Sequence, residues 1–230
     1  MGREMSHEEV RERYIEKMGR ELGEIFHVTS SELVWIYWRW NQYIILFAGE
    51  KTRVDRLNEI APFFFRIIQD VLFRDTLLAI ARLVGPPESV NKPNLTIRRF
   101  PALLADQESK NQLVALVDEA VDSAEFAVDW RNRHLAHRDL DLSLGRSTKQ
   151  LTAASRGKVK RALYSLRDVV TWVERKYCDS TTFYDFSSEP GDAESLLYVL
   201  QQGRLYIKEE RERRERGEWR DDDFEPPEKF

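Results

Sequence analysis

With 230 residues, 42% of them apolar and 33% charged, the chain is long enough to bury a sizeable core in one large domain or two small ones. A net charge of −4 excludes a global basic field that would draw in nucleic acid, so an RNA site has to be a local basic patch or one assembled by two chains. The single cysteine, Cys178, excludes an intramolecular disulfide framework and the usual zinc-ligand spacings, and it fits a reducing compartment.

The N-terminal stretch M-G-R-E-M-S-H-E-E lacks the apolar core of a signal peptide. The most apolar stretch, residues 33–48, is interrupted by Arg39, Asn41 and Gln42 and is too short to cross a bilayer. A soluble cytoplasmic protein without a membrane partner is expected.

Ser6-His7-Glu8-Glu9 has the form of a capping box. The following run to about His27 carries Tyr14, Met18, Leu22, Ile25 and Phe26 as a narrow apolar stripe, weakened by Gly19 and Gly23. Thr29-Ser30-Ser31-Glu32 reads as a second start signal. From Leu33 to Phe47 the pattern is apolar or aromatic nearly all round, which suits a central or interface helix better than a base-stacking platform.

A longer helical pattern runs from Val54 to Leu83, with Pro62 either starting a new helix or kinking this one. Arg74, Asp75 and Arg82 are its polar members with a claim to a site, and ion-paired surface positions are the plainer reading. Gly85-Pro86-Pro87 stops it, and residues 85–94 read as a loop. Asn94 or Thr96 caps a short helix through Leu104, disturbed by Pro101, and Ser109 opens a helix with an apolar stripe reaching Val128.

A polar loop is expected over residues 139–152, a helix over about 154–177, and a last helix capped by Pro190-Gly191-Asp192. From Lys208 that helix becomes an alternation of Glu and Arg supported by i,i+4 pairs, and the acidic, proline-containing tail is expected to be disordered. No period-two alternation and no internal repeat is present, so the fold class is all-α. The domain reading is an N-terminal helix over 1–28, a helical domain over 29–207, and a charged helix end with its tail over 208–230.

The chemistry concentrates in Trp130 to Asp139, W-R-N-R-H-L-A-H-R-D, which holds two of the four histidines and three arginines. A permanently charged fork that grips phosphate beside a group titrating near neutrality is a minimal kit for cutting RNA without a metal. Arg131 would bind phosphate and steady charge growing on its oxygens. His137 would move the proton, and Asn132 would orient the arginine or bond the RNA. Arg133, His134 and Arg138 are candidate substrate contacts; the plainer readings are a surface histidine and cations compensating a helix C-terminus.

Six residues of unbroken α-helix turn about 600°, leaving Arg131 and His137 some 120° apart. They converge only if the helix ends near Ala136 or if two chains cross. His, Asp and Glu nowhere form a two-His pair at i,i+4 spacing, so neither a metal nor another cofactor is expected.

Arg131-Asn132-Arg133-His134-Leu135-Ala136-His137 resembles the R-N-x-x-x-x-H signature of the HEPN superfamily of helical ribonucleases. W-N-Q-Y-I-I-L-F, D-T-L-L-A-I-A-R-L-V before the Gly-Pro turn, and G-D-A-E-S-L-L-Y-V-L resemble its abortive-infection branch, and the likeness covers roughly residues 30–205. The resemblance implies a bundle of four or five core helices plus a charged C-terminal helix. It further implies a homodimer with facing motifs and a metal-independent endoribonuclease leaving a 2′,3′-cyclic phosphate. A toxin or antiphage role, with RNA as substrate and an antitoxin or regulatory protein as partner, follows from the same likeness. The competing readings are a structural Arg-Asp-His network and a non-catalytic interaction module that keeps the fold.

Overall fold

The computed structural model describes residues 5–136, 139–147, 150–184, 191–220 and 223. Met1–Phe186 form one compact unit and Ser187–Phe230 a second. The fold is helical, as the sequence indicates, and among the described residues no helix is long and apolar enough to cross a membrane.

Helix α1 (His7–Met18) starts on the expected capping box: the Glu9 amide donates to the Ser6 hydroxyl at 3.2 Å and the Ser6 amide to the Glu9 carboxylate at 2.7 Å. Gly19 ends it at φ 82°, a conformation that side-chain-bearing residues avoid. Helix α2 (Arg20–Phe47) then runs unbroken for 28 residues.

The start expected at Thr29-Ser30-Ser31-Glu32 does not exist. Thr29 and Ser30 are buried inside α2, and the Ser30 hydroxyl meets the Tyr184 hydroxyl at 3.1 Å instead of capping a helix. The expected central or interface role of the aromatic segment holds: Leu33, Ile36, Tyr37, Trp40 and Tyr43 are all core residues. Trp40 stacks on Tyr43 at 4.9 Å between centroids.

Helix α3 (Lys51–Ile60) is separated from α4 (Pro62–Leu83) at Ala61, and Pro62 takes the first helical position, where its missing N–H costs nothing. Arg39 of α2 pairs with Asp75 of α4 and with Glu32, Arg82 pairs with Glu32 at 3.3 Å, and Arg74 pairs with Asp70 at 2.8 Å. The three polar residues of α4 are therefore surface ion-pair members.

The 85–94 segment is more than a loop: β1 (Glu88–Ser89) and β2 (Lys92–Pro93) form a small antiparallel hairpin. Its two turn residues, Val90 and Asn91, sit at φ 49° and 58°. Asn tolerates that region, whereas a β-branched Val crowds its own backbone by about 1–2 kcal/mol. Because Val90 is 93% exposed, burial does not offset the strain. Val90→Asn is expected to raise the melting temperature by roughly 2–4 °C, read by calorimetry; an unchanged midpoint would show that the turn carries no strain.

Thr96 caps a 3-10 turn (Ile97–Leu103), and its hydroxyl also reaches the carbonyls of Leu83 and Gly85, both at 2.8 Å. Helix α5 (Gln107–Ser123) is capped by Asp106, with Ser109 as its N3 residue rather than its opening one. The chain bends at Ala124 into α6 (Glu125–Trp130). Among the described residues between 139 and 152 the expected loop contains a short helix, α7 (Leu140–Ser143), because the Asp139 carboxylate accepts the Leu142 amide at 3.0 Å.

Helix α8 (Arg156–Tyr177), capped by Ser155, packs against α5 and α2 and contributes Val159, Leu163, Leu166, Val169, Val170 and Val173 to the core. At its end the buried Glu174 accepts from the Tyr14 hydroxyl at 3.1 Å, the Thr182 amide at 2.7 Å and the Thr182 hydroxyl at 2.9 Å. Burial, reinforced by the Glu174 charge, pushes the Tyr14 hydroxyl up to about 12. Cys178 follows, buried, its thiol also pushed up by burial and by Glu174.

The α1–α2 hairpin brings the two N-terminal histidines together, His27 Nε2 lying 3.1 Å from His7 Nε2. Burial, then the neighbouring His7 and Arg11, pull His27 below its ordinary pKa, with Glu8 opposing. A histidine kept neutral when folded but free to protonate when unfolded makes stability fall as pH drops through the unfolded value of about 6.5. The melting temperature is expected to fall between about pH 7.5 and about pH 5.5, and to fall less in His27→Gln. Equal slopes in the two proteins would place the acid sensitivity elsewhere.

In the second unit, α9 (Ala193–Glu215) starts at the expected Asp192 cap, whose carboxylate takes the Glu194 and Ser195 amides at 2.9 and 3.1 Å. Its i,i+4 ladder is present: Lys208 with Glu212, Glu210 with Arg214, Arg211 with Glu215. Asp223 binds Arg213 and Arg214, and those guanidiniums, Arg213 first, hold its carboxyl well below the usual range. The remaining tail positions expected to be disordered lie outside the described residues.

Candidate active site

The motif helix changes winding where the motif begins. Helix α6 gives way to a wide π turn, Arg131–Leu135, in which the Ala136 amide bonds to the Arg131 carbonyl five residues back at 2.9 Å. The Asp139 amide then reaches the Arg133 carbonyl at 3.1 Å, a wrap-around that finishes the helix. Helical winding therefore ends near Ala136, one of the two arrangements that would let Arg131 and His137 converge.

Within the turn the side chains part company. The Arg131 guanidinium reaches back to the end of α4, where a methyl group added at Gly85 would stand 3.9 Å from its Nη1. It is partly exposed, and among the described residues it has neither a carboxylate nor a carbonyl partner. Asn132 is exposed. His134 turns its ring edge-on to Trp130, centroids 5.5 Å apart. His137 and Arg138 lie outside the described residues.

Arg133 points the other way. Its guanidinium bonds Asp129 at 3.4 Å, the Gln150 carbonyl at 3.3 Å and the Ser147 hydroxyl at 3.2 Å. Asp129 also accepts the Thr152 amide at 2.9 Å, while the Trp130 indole donates to the Thr152 carbonyl at 2.7 Å. Burial would raise the Asp129 carboxyl, but the bonds from Thr152 and Arg133 outweigh it and hold the group below its ordinary value. Asp129, Trp130 and Arg133 thus pin Ser147, Gln150 and Thr152 to the motif helix. Behind them Trp130 meets Phe73 of α4 at 6.2 Å, and Phe73 meets Trp40 of α2 at 6.3 Å, so the turn rests on the aromatic core.

Two arginines not singled out by sequence reasoning join this neighbourhood. Arg98 Nε donates to the Val84 carbonyl at 2.8 Å, and Arg99 donates to the carbonyls of Asn94 at 2.8 Å and Pro87 at 2.6 Å. Among the described residues both are held by carbonyls and neither by a carboxylate, so their charge is not cancelled locally. Around Gly85 one chain collects Arg131, Arg98 and Arg99, a local basic patch in a protein of net charge −4. The adjacent Arg-Arg pair after the Gly-Pro-Pro turn is the signal that could have revealed it.

A family model described as AbiU2, of HEPN type, matches residues 20–196. The chain belongs to the HEPN AbiU2 family. The matched span opens at the first residue of α2 and closes in the first turn of α9, so α1 and most of α9 lie outside the part shared with AbiU2. It includes the whole Arg131 to His137 signature and the basic turn around Gly85. Membership ties the chain to abortive-infection-related HEPN proteins. Searches among curated proteins and among solved structures returned no match.

Proposed function

We propose that this chain is a metal-independent endoribonuclease acting as a toxin or antiphage-defence effector. The observation that carries the reading is a complete Arg131-Asn132-x-x-x-x-His137 signature ending a helical run in a HEPN AbiU2 chain. The Arg131 guanidinium, without a partner among the described residues, supports it, as does the basic turn around Gly85.

In the proposed reaction a ribose 2′-hydroxyl attacks the adjacent phosphorus while His137 removes its proton. The bond to the 5′-oxygen breaks, a second imidazole returns a proton to that oxygen, and the products are a 2′,3′-cyclic phosphate and a 5′-hydroxyl. Arg131 binds the phosphate through its planar fork and neutralises the charge that builds on the non-bridging oxygens. Asn132 and His134 serve as strand contacts, with Arg138 next along the sequence. Arg133, tied to Asp129, holds Ser147 and Gln150 as well as adding charge.

One imidazole per chain cannot serve as base and acid in the same turnover, so the reading includes a homodimer in which two motifs share a cleft. Incubation of purified protein with total RNA in EDTA, with His137→Ala and Arg131→Ala alongside, tests it. Cleavage that needs a divalent metal, or that survives both substitutions, would reject it.

A further inference from the structure

A cleft of about 480 Å³ opens between α2 and the start of α8. Tyr37 and Trp40 are its buried aromatic walls, the partly exposed Tyr164 ring forms its lip, and Asn41 offers an amide. The Tyr37 hydroxyl donates to the Leu163 carbonyl at 3.0 Å, which fixes that wall.

The mouth carries Arg156 and Lys160, both exposed, and among the described residues neither has an acidic partner. No carboxylate lines the cleft. Gly157 stands between them in the first turn of a 22-residue helix, where an added methyl group would meet nothing nearer than the Ser155 hydroxyl at 3.8 Å. Ser155 caps the Lys158 amide at 3.3 Å, which leaves those of Arg156 and Gly157 at the positive end of the helix, where anions are attracted. Aromatic walls below and two cations at the mouth suit a planar ring joined to a phosphate.

The cleft is connected to the motif through the chain itself. Asp129, Trp130 and Arg133 hold residues up to Thr152, and Arg156 follows four positions later, a reach of at most about 14 Å.

We propose that this cleft is a nucleotide subsite of the RNA strand. One base lodges against Tyr37, Trp40 and Tyr164, and its phosphate lies on Arg156, Lys160 and the first turn of α8. The inference rests on the ribonuclease reading and adds where the strand is gripped away from the scissile bond. Such a grip selects by base shape and stacking more than by hydrogen bonding.

The test titrates the intact protein with each of the four nucleoside 5′-monophosphates, following tryptophan fluorescence and heat. Inorganic phosphate and free nucleosides serve as separate arms. At least one nucleotide is expected to saturate more tightly than either half alone, with Arg156→Glu/Lys160→Glu weakening it at least about tenfold. Tyr164→Ala, at an exposed ring, is expected to weaken it too. All substituted positions of the cleft are surface ones, and circular dichroism checks that each variant is folded.

Absence of saturable nucleotide binding, or equal binding by the double variant, overturns the subsite, and EDTA-resistant, His137-dependent cleavage would still leave the ribonuclease reading standing. Binding that behaves as expected in a protein that cuts no RNA upholds the nucleotide subsite and removes only the ribonuclease reading.

Discussion

His137→Ala is expected to lower RNA cleavage by about 10²- to 10⁴-fold, the usual worth of a positioned general acid or base. Arg131→Ala should cost about 10²- to 10³-fold, as the loss of a charge-stabilising donor does elsewhere. The double variant should be little worse than the poorer single one, because the two groups serve one transition state. Arg131→Lys separates charge from geometry: it keeps the cation and loses the fork, so activity should stay well below wild type. Rates measured in EDTA on a short fluorescent RNA, with product ends identified as cyclic phosphate and hydroxyl, decide the matter. Full activity in Arg131→Lys would reduce the arginine to a point charge, and full activity in His137→Ala would remove the proton-transfer step altogether.

The second large effect is one of stability. A methyl group at Gly23 would lie 2.6 Å from the Tyr14 carbonyl oxygen and 2.7 Å from the Ile15 backbone. Every clashing atom is main chain, so no rotamer change relieves it, and Gly23→Ala has to push α1 off α2. Overpacking of this kind costs about 1–3 kcal/mol, occasionally more, against about 1 kcal/mol recovered from the better helix propensity of Ala. A drop of several degrees in melting temperature is expected. Gly203→Ala in α9, where no atom stands within 4 Å of the added group, is the matched control and should stabilise its helix. Two glycines replaced in the same way with opposite outcomes would isolate close packing as the cause; a Gly23→Ala protein as stable as wild type would mean that α1 is loosely held.

These two cases also mark how far the sequence reaches. Aromatic crowding from Leu33 to Phe47 announced a central or interface helix, Pro62 announced a start or a kink, and the Arg131-Asn132 pair was legible near a helix end. Each rests on local chemistry: apolar periodicity, a missing N–H, a cluster of side chains. Gly23 was read as a weakness because spacing alone does not reveal that another helix crosses at that point. Thr29-Ser30-Ser31-Glu32 imitates a cap, but inside a buried helix Ser30 finds a tertiary partner in Tyr184, which no local rule anticipates.

The site was half legible for the same reason. Arg131 and Asn132 are named by their spacing, whereas the π turn that sets their direction depends on how α6 settles against α4. Arg98 and Arg99 join Arg131 only because the chain folds the Gly85 turn under them. The division of labour between Arg131, open, and Arg133, tied to Asp129, lies in side-chain direction that composition does not encode.

The solitary thiol at the end of α8 gives this protein a chemical clock. Cys178 lies near Arg13 and Lys17 of α1 as well as Glu174. A thiol reagent therefore gains access when the N-terminal hairpin lifts, and native-state modification rates measure the free energy of that opening. Because there is one thiol, the signal needs no mutagenesis to interpret, and the loosening imposed at Gly23 can be timed directly in an otherwise unaltered chain.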